Sequence, residues 1–149
     1  MKITNKVSNL FEAVLYVGKY MKNRFIYGGY NSIVGRDLRL LFSCFIGQKL
    51  PQSTHIPHPT GIVIGGQNNI GENVSIYQNV TIGAKKEKDD LKFPNICDNA
   101  TIYAGAVILG DITVGEDSVV AANSVVINDV PEGAVVAGAP ARVIKEVDE

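Results

Sequence analysis

The chain has 149 residues, of which 46% are hydrophobic and none is tryptophan, a size and composition that predict one globular domain with its own core. Fourteen basic and fifteen acidic residues give a formal net charge of −1, which excludes a general electrostatic attraction to nucleic acid or to an anionic membrane. Cys44 and Cys97 lack the spacing of a zinc site or a disulfide framework, so we expect reduced thiols in a cytoplasmic protein.

The N-terminal segment has the apolar spacing of helices. A first set of apolar residues recurs every three or four positions: Leu10, Val14, Val17 and Met21. This set predicts an amphipathic helix over about 8–25, with Ser8 as its N-cap. A second set predicts a short helix that ends near Gly47: Leu38, Leu41, Phe42 and Phe45. We therefore interpret residues 1–46 as a helical segment that packs on the rest of the chain, with no stretch reaching the ~20 apolar residues of a membrane span.

From residue 47 the chain follows a period of six. Ten aliphatic residues lie on this period in two runs: Ile64, Ile70, Ile76, Ile82, and then Ile96, Ile102, Ile108, Val114, Val120 and Val126. Short or β-branched residues lie four positions after most of them: Val74, Val80, Ala100, Ala106, Ser118 and Ser124. Such a period predicts an all-β solenoid over 47–149, in which each six-residue unit is one strand plus a corner and three units close a triangular coil. We expect the aliphatic side chains to point inward.

The period breaks at two places and then ends. Ile56 and Ile64 are eight residues apart, which predicts a two-residue bulge within IPHPTGIVI. Ile82 and Ile96 are fourteen residues apart where twelve would keep the phase, and the aliphatic expected near residue 88 is missing, so we predict a charged loop over 84–95. After Val126 the pattern stops, and Pro131 and Pro140 mark a C-terminal cap over 129–149.

Four segments carry a resemblance to a known family: HPTGIVIG at 58–65, IGENVSIYQNVTIG at 70–83, AGAVILGDITVGEDSVVAANSVV at 104–126 and DVPEGAVVAGAPARVIK at 129–145. Over about residues 43–145 the chain resembles the hexapeptide-repeat acyltransferases, and within them the serine acetyltransferases. The resemblance implies a left-handed parallel β-helix and a homotrimer with active sites between neighbouring subunits. It also implies acetyl-CoA as the acyl donor, lying along the groove between solenoids, and no requirement for a metal.

A histidine is the expected catalytic residue. Acetyl transfer to a hydroxyl requires a base that removes the hydroxyl proton, and a neutral imidazole is suited to this near pH 7. Of the two histidines, His58 matches the family's catalytic base and lies at the predicted bulge. His55 lies inside a regular repeat and matches no functional position, so we interpret it as a surface or corner residue.

The chain departs from the family at the positions that resemblance assigns to the acceptor. Ser43 and Pro57 replace acidic residues, and Lys92 and Phe93 replace an arginine and a histidine. These changes argue against L-serine, and the short N-terminal segment resembles O-acetyltransferases of surface-polysaccharide assembly. We therefore expect O-acetyl transfer to a sugar hydroxyl, with Lys92 and Phe93 binding the substrate, although an aromatic residue before proline is as often simple packing. A serine acetyltransferase of cysteine biosynthesis and a catalytically inactive trimeric scaffold are the alternatives.

The resemblance also implies a binding site for the acyl donor. Five small residues would form a smooth wall for the pantetheine arm of CoA: Ala104, Gly105, Ala121, Ala122 and Gly138. Arg142 and Lys145 would pair with its phosphates. Both assignments have a structural alternative, because corners need small residues and a basic tail can simply be solvated. No nucleic-acid partner is expected, and membrane contact through Phe11, Leu15 and Tyr16 is a weaker hypothesis than packing of that helix on the solenoid.

Overall fold

A computed structural model describes residues 43–87 and 90–145, all of them in strands, turns and irregular segments. The helix predicted over 8–25, with Phe11, Leu15 and Tyr16, lies outside the described residues. The strands, in chain order, are β1 (Phe45–Ile46), β2 (Val63–Ile64), β3 (Asn69–Ile70), β4 (Ser75–Ile76), β5 (Thr81–Gly83), β6 (Lys85–Glu87), β7 (Asp90–Lys92), β8 (Asn95–Ile96), β9 (Thr101–Ile102), β10 (Val107–Leu109), β11 (Thr113–Val114), β12 (Val119–Val120), β13 (Val125–Val126), β14 (Val135–Gly138) and β15 (Ala141–Lys145).

The strands form three sheets that the chain visits in rotation, and we call these sheets face 1, face 2 and face 3. Face 1 has the order β1-β2-β5-β10-β13, face 2 has the order β11-β8-β3, and face 3 has the order β15-β14-β12-β9-β4. Every pairing within them is parallel except β14 with β15. The chain is therefore a parallel β solenoid with three faces, as the period of six predicts.

The core is a set of stacked aliphatic columns inside the solenoid. All ten aliphatic residues on the six-residue period are buried, and so are the six short residues that follow them by four positions. Like residues stack on like: Ile64 pairs with Ile82 and Ile82 with Ile108 on face 1. Burial of one such side chain contributes about 1.5–3 kcal/mol to folding. Because each coil buries its core only against its neighbours, the columns hold the solenoid together.

The register of face 1 corrects the predicted size of the loop insertion. Ile82 pairs with Ile108, and Ile70 pairs with Ile96 on face 2, so Ile82 and Ile96 occupy adjacent faces of one coil. The fourteen-residue step from Ile82 to Ile96 therefore replaces a single six-residue step, not two steps. The insertion is eight residues, and no aliphatic residue was due near residue 88. Part of it forms an antiparallel hairpin of β6 and β7, with Lys85 opposite Lys92.

The second predicted helix is wrong at its C-terminal end. Most of it lies outside the described residues, but Phe45–Ile46 form β1 and pair in parallel with Val63–Ile64. Ile46 is buried and Phe45 is exposed, which is the alternation of a strand. The spacing from Leu38 to Phe45 matched a helix, yet Ile46 belongs to the aliphatic column above Ile64, and burial in that column decides the conformation of this segment.

Two corners of the solenoid bear on function, and we name them here. The His58 edge joins face 3 to face 1 and comprises residues 57–62, 77–80, 103–106 and 121–124. The loop edge joins face 1 to face 2 and comprises residues 65–68, 83–94 and 110–112. The described ranges contain no helix that could span a membrane and no group of three His, Cys, Asp or Glu side chains arranged to hold a metal ion.

Candidate active site

The coils are stacked in register along the His58 edge by backbone hydrogen bonds. Each bond joins an amide of one coil to a carbonyl oxygen of the coil before it: Asn79 N to Thr60 O (2.9 Å), Gly105 N to Gln78 O (3.0 Å) and Asn123 N to Ala104 O (2.9 Å). Thr60, Gln78, Ala104 and Ala122 therefore occupy equivalent places in successive coils. This column gives each neighbouring residue a defined position along the edge.

His58 and Pro59 are two residues more than this corner needs. His55 bridges Ser75 and accepts the Ile76 amide at 2.9 Å, so Ile56 stands level with Ile76. Only Tyr77 separates Ile76 from Gln78, whereas three residues separate Ile56 from Thr60. The two-residue bulge predicted from the sequence is thus located at His58–Pro59. The His58 side chain is exposed, and its carbonyl accepts the Thr60 amide at 2.8 Å, which closes the bulge.

The other histidine has the structural place expected for it. The His55 amide donates to Val74 O at 2.9 Å, and its side chain points outward from a regular coil, where it is exposed. The two histidines therefore differ in their backbone. His55 is hydrogen-bonded into face 3, whereas His58 lies in the bulge outside it. His58 is therefore the histidine whose position is set by the bulge.

The five small residues assigned to the acyl donor lie on the same side of the solenoid as His58. Ala104 and Gly105 form the third coil of the His58 edge, Ala121 and Ala122 form the fourth, and Gly138 ends β14 in the fifth. All five are at least partly exposed. The structure thus arranges them as a strip of small residues over the third to fifth coils, separated from the His58 bulge by Tyr77 and Gln78 of the second coil.

One of these glycines also has a conformational reason to be glycine. Gly105 has φ of +72°, and a Cβ atom there would lie 2.2 Å from the Asn123 Oδ1 atom of the next coil. Gly61 shows the same arrangement two coils earlier, with φ of +65° and Asn79 Oδ1 at 2.2 Å. Glycine at 105 is therefore required by the corner itself, whether or not a ligand lies against it.

Arg142 and Lys145 lie on β15, at the far end of the solenoid. Both side chains are exposed, and the Arg142 Nη1 atom donates to the neighbouring Ala141 carbonyl at 2.8 Å. Arg142 stands opposite Ala137 in the antiparallel pair of β14 and β15, which places it next to the end of the small-residue strip. It also lines a pocket of about 210 Å³, with Asp129 and Val130 among its walls. The guanidinium thus lies near the end of the strip, and the Asp129 carboxylate lines the same pocket.

Lys92 and Phe93 lie on the loop edge, on the other side of face 1 from His58. The Lys92 ammonium forms an exposed ion pair with Asp90 at 3.2 Å within the hairpin. The Phe93 ring is half-buried, and its Cε1 atom would lie 3.4 Å from a Cβ atom at Gly65. Phe93 thus packs on the base of the loop of its own chain. The predicted acceptor residues and the predicted base are not brought together within one protomer.

Ser43 and Pro57, the other positions that differ from the family pattern, are also placed. Ser43 is exposed and has φ of +52°, two residues before β1. Pro57 is half-buried and begins the bulge that carries His58. Next to Ser43, the Cys44 thiol is buried, and this burial raises its pKa above the ordinary 9.0 although hydrogen bonds to Ile62 and Gly61 oppose the shift. Cys44 is thus a core residue and not a nucleophile.

The sequence analysis missed a pair of tyrosines on the His58 edge. Tyr77 and Tyr103 stack with ring centroids 5.0 Å apart and planes inclined by 31°. They lie in the two coils that follow the His58 bulge, and Tyr103 is 41% exposed. Each comes directly after an aliphatic residue of the core, where several other units have glycine: Gly65, Gly71, Gly83 and Gly115. Tyrosine at the same place in two units was the available signal, whereas their stacking depends on the size of the loop insertion.

A buried asparagine on the loop edge was also missed. Asn68 is only 7% exposed, and its Nδ2 atom donates to Gly65 O at 2.9 Å and to Ile82 O at 3.4 Å. It lies four residues after Ile64, where other coils have valine, alanine or serine. A large amide at that position was the signal in the sequence. Gln78, on the His58 edge, is a second amide with a buried carbonyl oxygen.

Comparison with known proteins agrees with this architecture. The bacterial transferase hexapeptide family (six repeats) matches residues 93–128. Serine acetyltransferase of Staphylococcus xylosus is 41% identical over 100 residues, which cover 67% of this chain and 46% of that protein. The chain thus spans about half the length of the curated relatives it matches.

Solved structures give the same relationship in three dimensions. A Brucella abortus serine acetyltransferase in complex with coenzyme A is 39% identical with a TM-score of 0.61, covering 70% of this chain and 40% of that one. A Neisseria gonorrhoeae serine acetyltransferase in complex with serine is 37% identical with a TM-score of 0.58, covering 68% of this chain and 40% of that one. The chain is therefore a hexapeptide-repeat protein of the acyltransferase kind, similar to the serine acetyltransferases.

Proposed function

We propose that this protein is an acetyl-CoA-dependent O-acetyltransferase of the cytoplasm, with His58 as the general base. The observation that carries the proposal is the insertion of His58–Pro59, which exposes an imidazole on the same edge as the strip of small residues. In the reaction, the imidazole removes the proton of an acceptor hydroxyl and the oxygen attacks the thioester carbonyl. The carbon–sulfur bond then breaks, and the proton passes to the departing CoA thiolate.

The donor is proposed to lie along the His58 edge. Ala104, Gly105, Ala121 and Ala122 leave room for the pantetheine arm beside the backbone, and Gly138 continues the strip. Arg142 then meets the phosphates at its far end, where charge-assisted hydrogen bonds are strong. Lys145 stands opposite Val135, at the other end of β14, as a second basic group for them. The coenzyme A complex of the Brucella abortus relative supports this choice of donor.

The complete site is proposed to form between protomers of a homotrimer with left-handed coils. Within one protomer, face 1 separates His58 from Lys92 and Phe93. A cyclic assembly that lays the loop edge of one protomer against the His58 edge of the next would unite the two sets of residues. Both the handedness and the trimer are implied by the resemblance to serine acetyltransferases.

The relatives favour serine as acceptor over the sugar hydroxyl that the sequence analysis placed first. The curated relatives are named serine acetyltransferases, and the Neisseria gonorrhoeae structure holds serine. We therefore propose a small hydroxyl of the serine kind as the acceptor. A sugar hydroxyl is the second candidate because Phe93 offers a half-buried aromatic ring, and Pro57 no acid, where the family pattern has polar groups.

Replacing the proposed base tests the function directly. The His58→Ala variant should lose 10²- to 10⁴-fold in kcat with acetyl-CoA and either L-serine or a hexose as acceptor, about the contribution of a general base. The His55→Ala variant is the matched control, because His55 is exposed three residues away and only its backbone bonds to neighbouring coils. The readout is release of the CoA thiol, with thermal unfolding to check the fold.

The same assay ranks the two acceptors in the unaltered protein. A higher kcat/KM for L-serine supports the first candidate, and a higher value for the hexose supports the second. Turnover that survives His58→Ala at the level of His55→Ala would contradict the assignment of the base.

A further inference from the structure

The loop insertion interrupts the stacking of corners directly above Asn68. On the loop edge, Ile64 to Ile70 and Ile108 to Val114 are steps of six residues, whereas Ile82 to Ile96 takes fourteen. The corner that would otherwise cover residues 65–68 leaves the coil as the hairpin. Only the base of the loop returns, where Pro94 O accepts the Asn69 amide at 3.2 Å. The stack of corners thus lacks one member at this point, and we call this missing corner the notch.

The Asn68 amide is fixed in orientation at the bottom of this notch. Its Nδ2 atom donates to two carbonyl oxygens, Gly65 O and Ile82 O. Turning the amide over would place Oδ1 against those two oxygens, so the assignment of nitrogen and oxygen is secure. The Oδ1 atom is buried, and it accepts no hydrogen bond from any residue in the part of the chain that the structure describes.

An asparagine at this position is costly for the fold alone. A buried carbonyl oxygen without a donor loses its hydration without compensation. Equivalent positions in other coils avoid that cost with Val74 and Val80, or with Ser118, whose Oγ donates to Gly115 O at 2.6 Å. Serine would make the same bond to the turn without leaving a buried oxygen unpaired. Packing therefore explains the Nδ2 atom of Asn68 and not its Oδ1 atom.

Asn68 also borders the residues assigned to the acceptor. A Cβ atom at Gly65 would lie 3.2 Å from Asn68 Nδ2 and 3.4 Å from Phe93 Cε1, so the amide and the ring flank the same glycine. Lys92 precedes Phe93 at the end of the hairpin. Asn68 Oδ1 is therefore a neutral hydrogen-bond acceptor on the same edge as the aromatic ring and the ammonium of the loop.

We propose that Asn68 is a specificity-determining residue, whose Oδ1 atom accepts a hydrogen bond from an amine or second hydroxyl of the acceptor substrate when the Phe93 ring moves aside. The proposal rests on the acetyltransferase function proposed above. The proposal implies that the acceptor carries a hydrogen-bond donor, an amine or second hydroxyl, beside its reacting hydroxyl. The binding residue is then an amide of the solenoid itself, and not only the side chains of the loop.

The test is a comparison of kinetic constants in Asn68→Val and Asn69→Ala. Asn68→Val copies Val74 and Val80, so the coil should keep its stability, and Asn68→Ser, which copies Ser118, is a second variant should valine fail to fold. We expect KM for the acceptor to rise about tenfold or more, with KM for acetyl-CoA unchanged. Asn69 is the control, because it is exposed and its Nδ2 donates at the surface to Asn95 Oδ1 at 2.6 Å.

An acceptor analogue without the extra donor group distinguishes binding by Asn68 from a purely structural effect of the substitution. For this analogue, Asn68→Val and the unaltered protein should have equal KM. An unchanged KM for the full acceptor would overturn the proposal, as would a change in oligomeric mass, which would show that a neighbouring protomer supplies the donor. Absence of turnover in the unaltered protein would instead refute the acetyltransferase function and this inference together.

Discussion

Two kinds of residue lie along the His58 edge. Some bulge out of the hydrogen-bonded coils, and others are held tightly within them. His58 and Pro59 add two residues to a corner that elsewhere passes from Ile76 to Gln78 through Tyr77 alone. The added backbone releases the imidazole from stacking, so its position depends on the bulge and not on neighbouring coils. A rigid coil with one local bulge is a common way for a scaffold to expose a reactive side chain.

Gly105 shows the opposite behaviour, and its replacement should be costly. The Gly105→Ala variant places a methyl group 2.2 Å from Asn123 Oδ1 at φ of +72°, so we expect the free energy of unfolding to fall by about 1–3 kcal/mol. Urea unfolding measures this loss. Gly83→Ala is the matched control, because a Cβ atom there meets only Leu109 Cδ2 at 3.6 Å.

A second substitution identifies the cause of that loss. Asn123→Gly removes the oxygen that the new methyl group would meet, so the Gly105→Ala/Asn123→Gly pair should lose less stability than the sum of the single variants. Strictly additive losses would mean that backbone strain alone, and not the contact between coils, forbids a side chain at 105.

At the scale of elements, the hairpin of β6 and β7 is an addition to a solenoid that does not need it. Deleting residues 84–91 restores a six-residue step from Ile82 to Ile96 while keeping Lys92 and Phe93 in the chain. We expect the shortened protein to fold with equal or greater stability, because the closure entropy of the loop is no longer lost. Binding of the acceptor should be lost, and acetyl-CoA should still bind along the His58 edge.

Calorimetry with each substrate and circular dichroism measure these effects. Loss of acetyl-CoA binding in a folded deletion variant would mean that the hairpin reaches the donor site. A deletion variant that cannot fold would mean that the hairpin also covers part of the core.

The six-residue period predicted which side chains are buried, because column stacking demands an aliphatic residue at every step. It could not predict which unit stacks on which, since fourteen residues are compatible with two steps and two extra residues or with one step and eight. Backbone pairing of Ile82 with Ile108 decides between them. The bulge at His58 was predictable because its two extra residues leave the phase readable on both sides. Asn68 was missed because its Oδ1 atom lacks a partner only where the loop insertion removes the next corner, and the sequence did not fix that stacking.

For the whole molecule, the function proposed above implies that a single protomer lacks a complete site, because face 1 separates the two edges. Each active site should use the His58 edge of one protomer and the loop edge of its neighbour. This division can be tested by complementation, because two differently damaged protomers can assemble an intact site between them.

Mixing His58→Ala with a Lys92→Ala/Phe93→Ala variant should therefore restore activity. If protomers assemble at random from equal amounts, about a quarter of the sites combine both intact edges. The assay is CoA release after joint refolding, at an acceptor concentration at which each parent alone is inactive. Sites contained within one protomer would give no recovery in the mixture, although each parent still assembles.

The regular stacking of the His58 edge also fixes the distances between residues of successive coils. Adjacent strands lie about 4.8 Å apart, so the three steps from Thr60 through Gln78 and Ala104 to Ala122 span about 14 Å. Movements of the loop cannot change this interval, since it is fixed by backbone hydrogen bonds in every coil. The interval changes only in steps of about 4.8 Å, through gain or loss of an entire coil. The number of coils therefore sets the length of the extended molecule that can reach from Arg142 to the bulge.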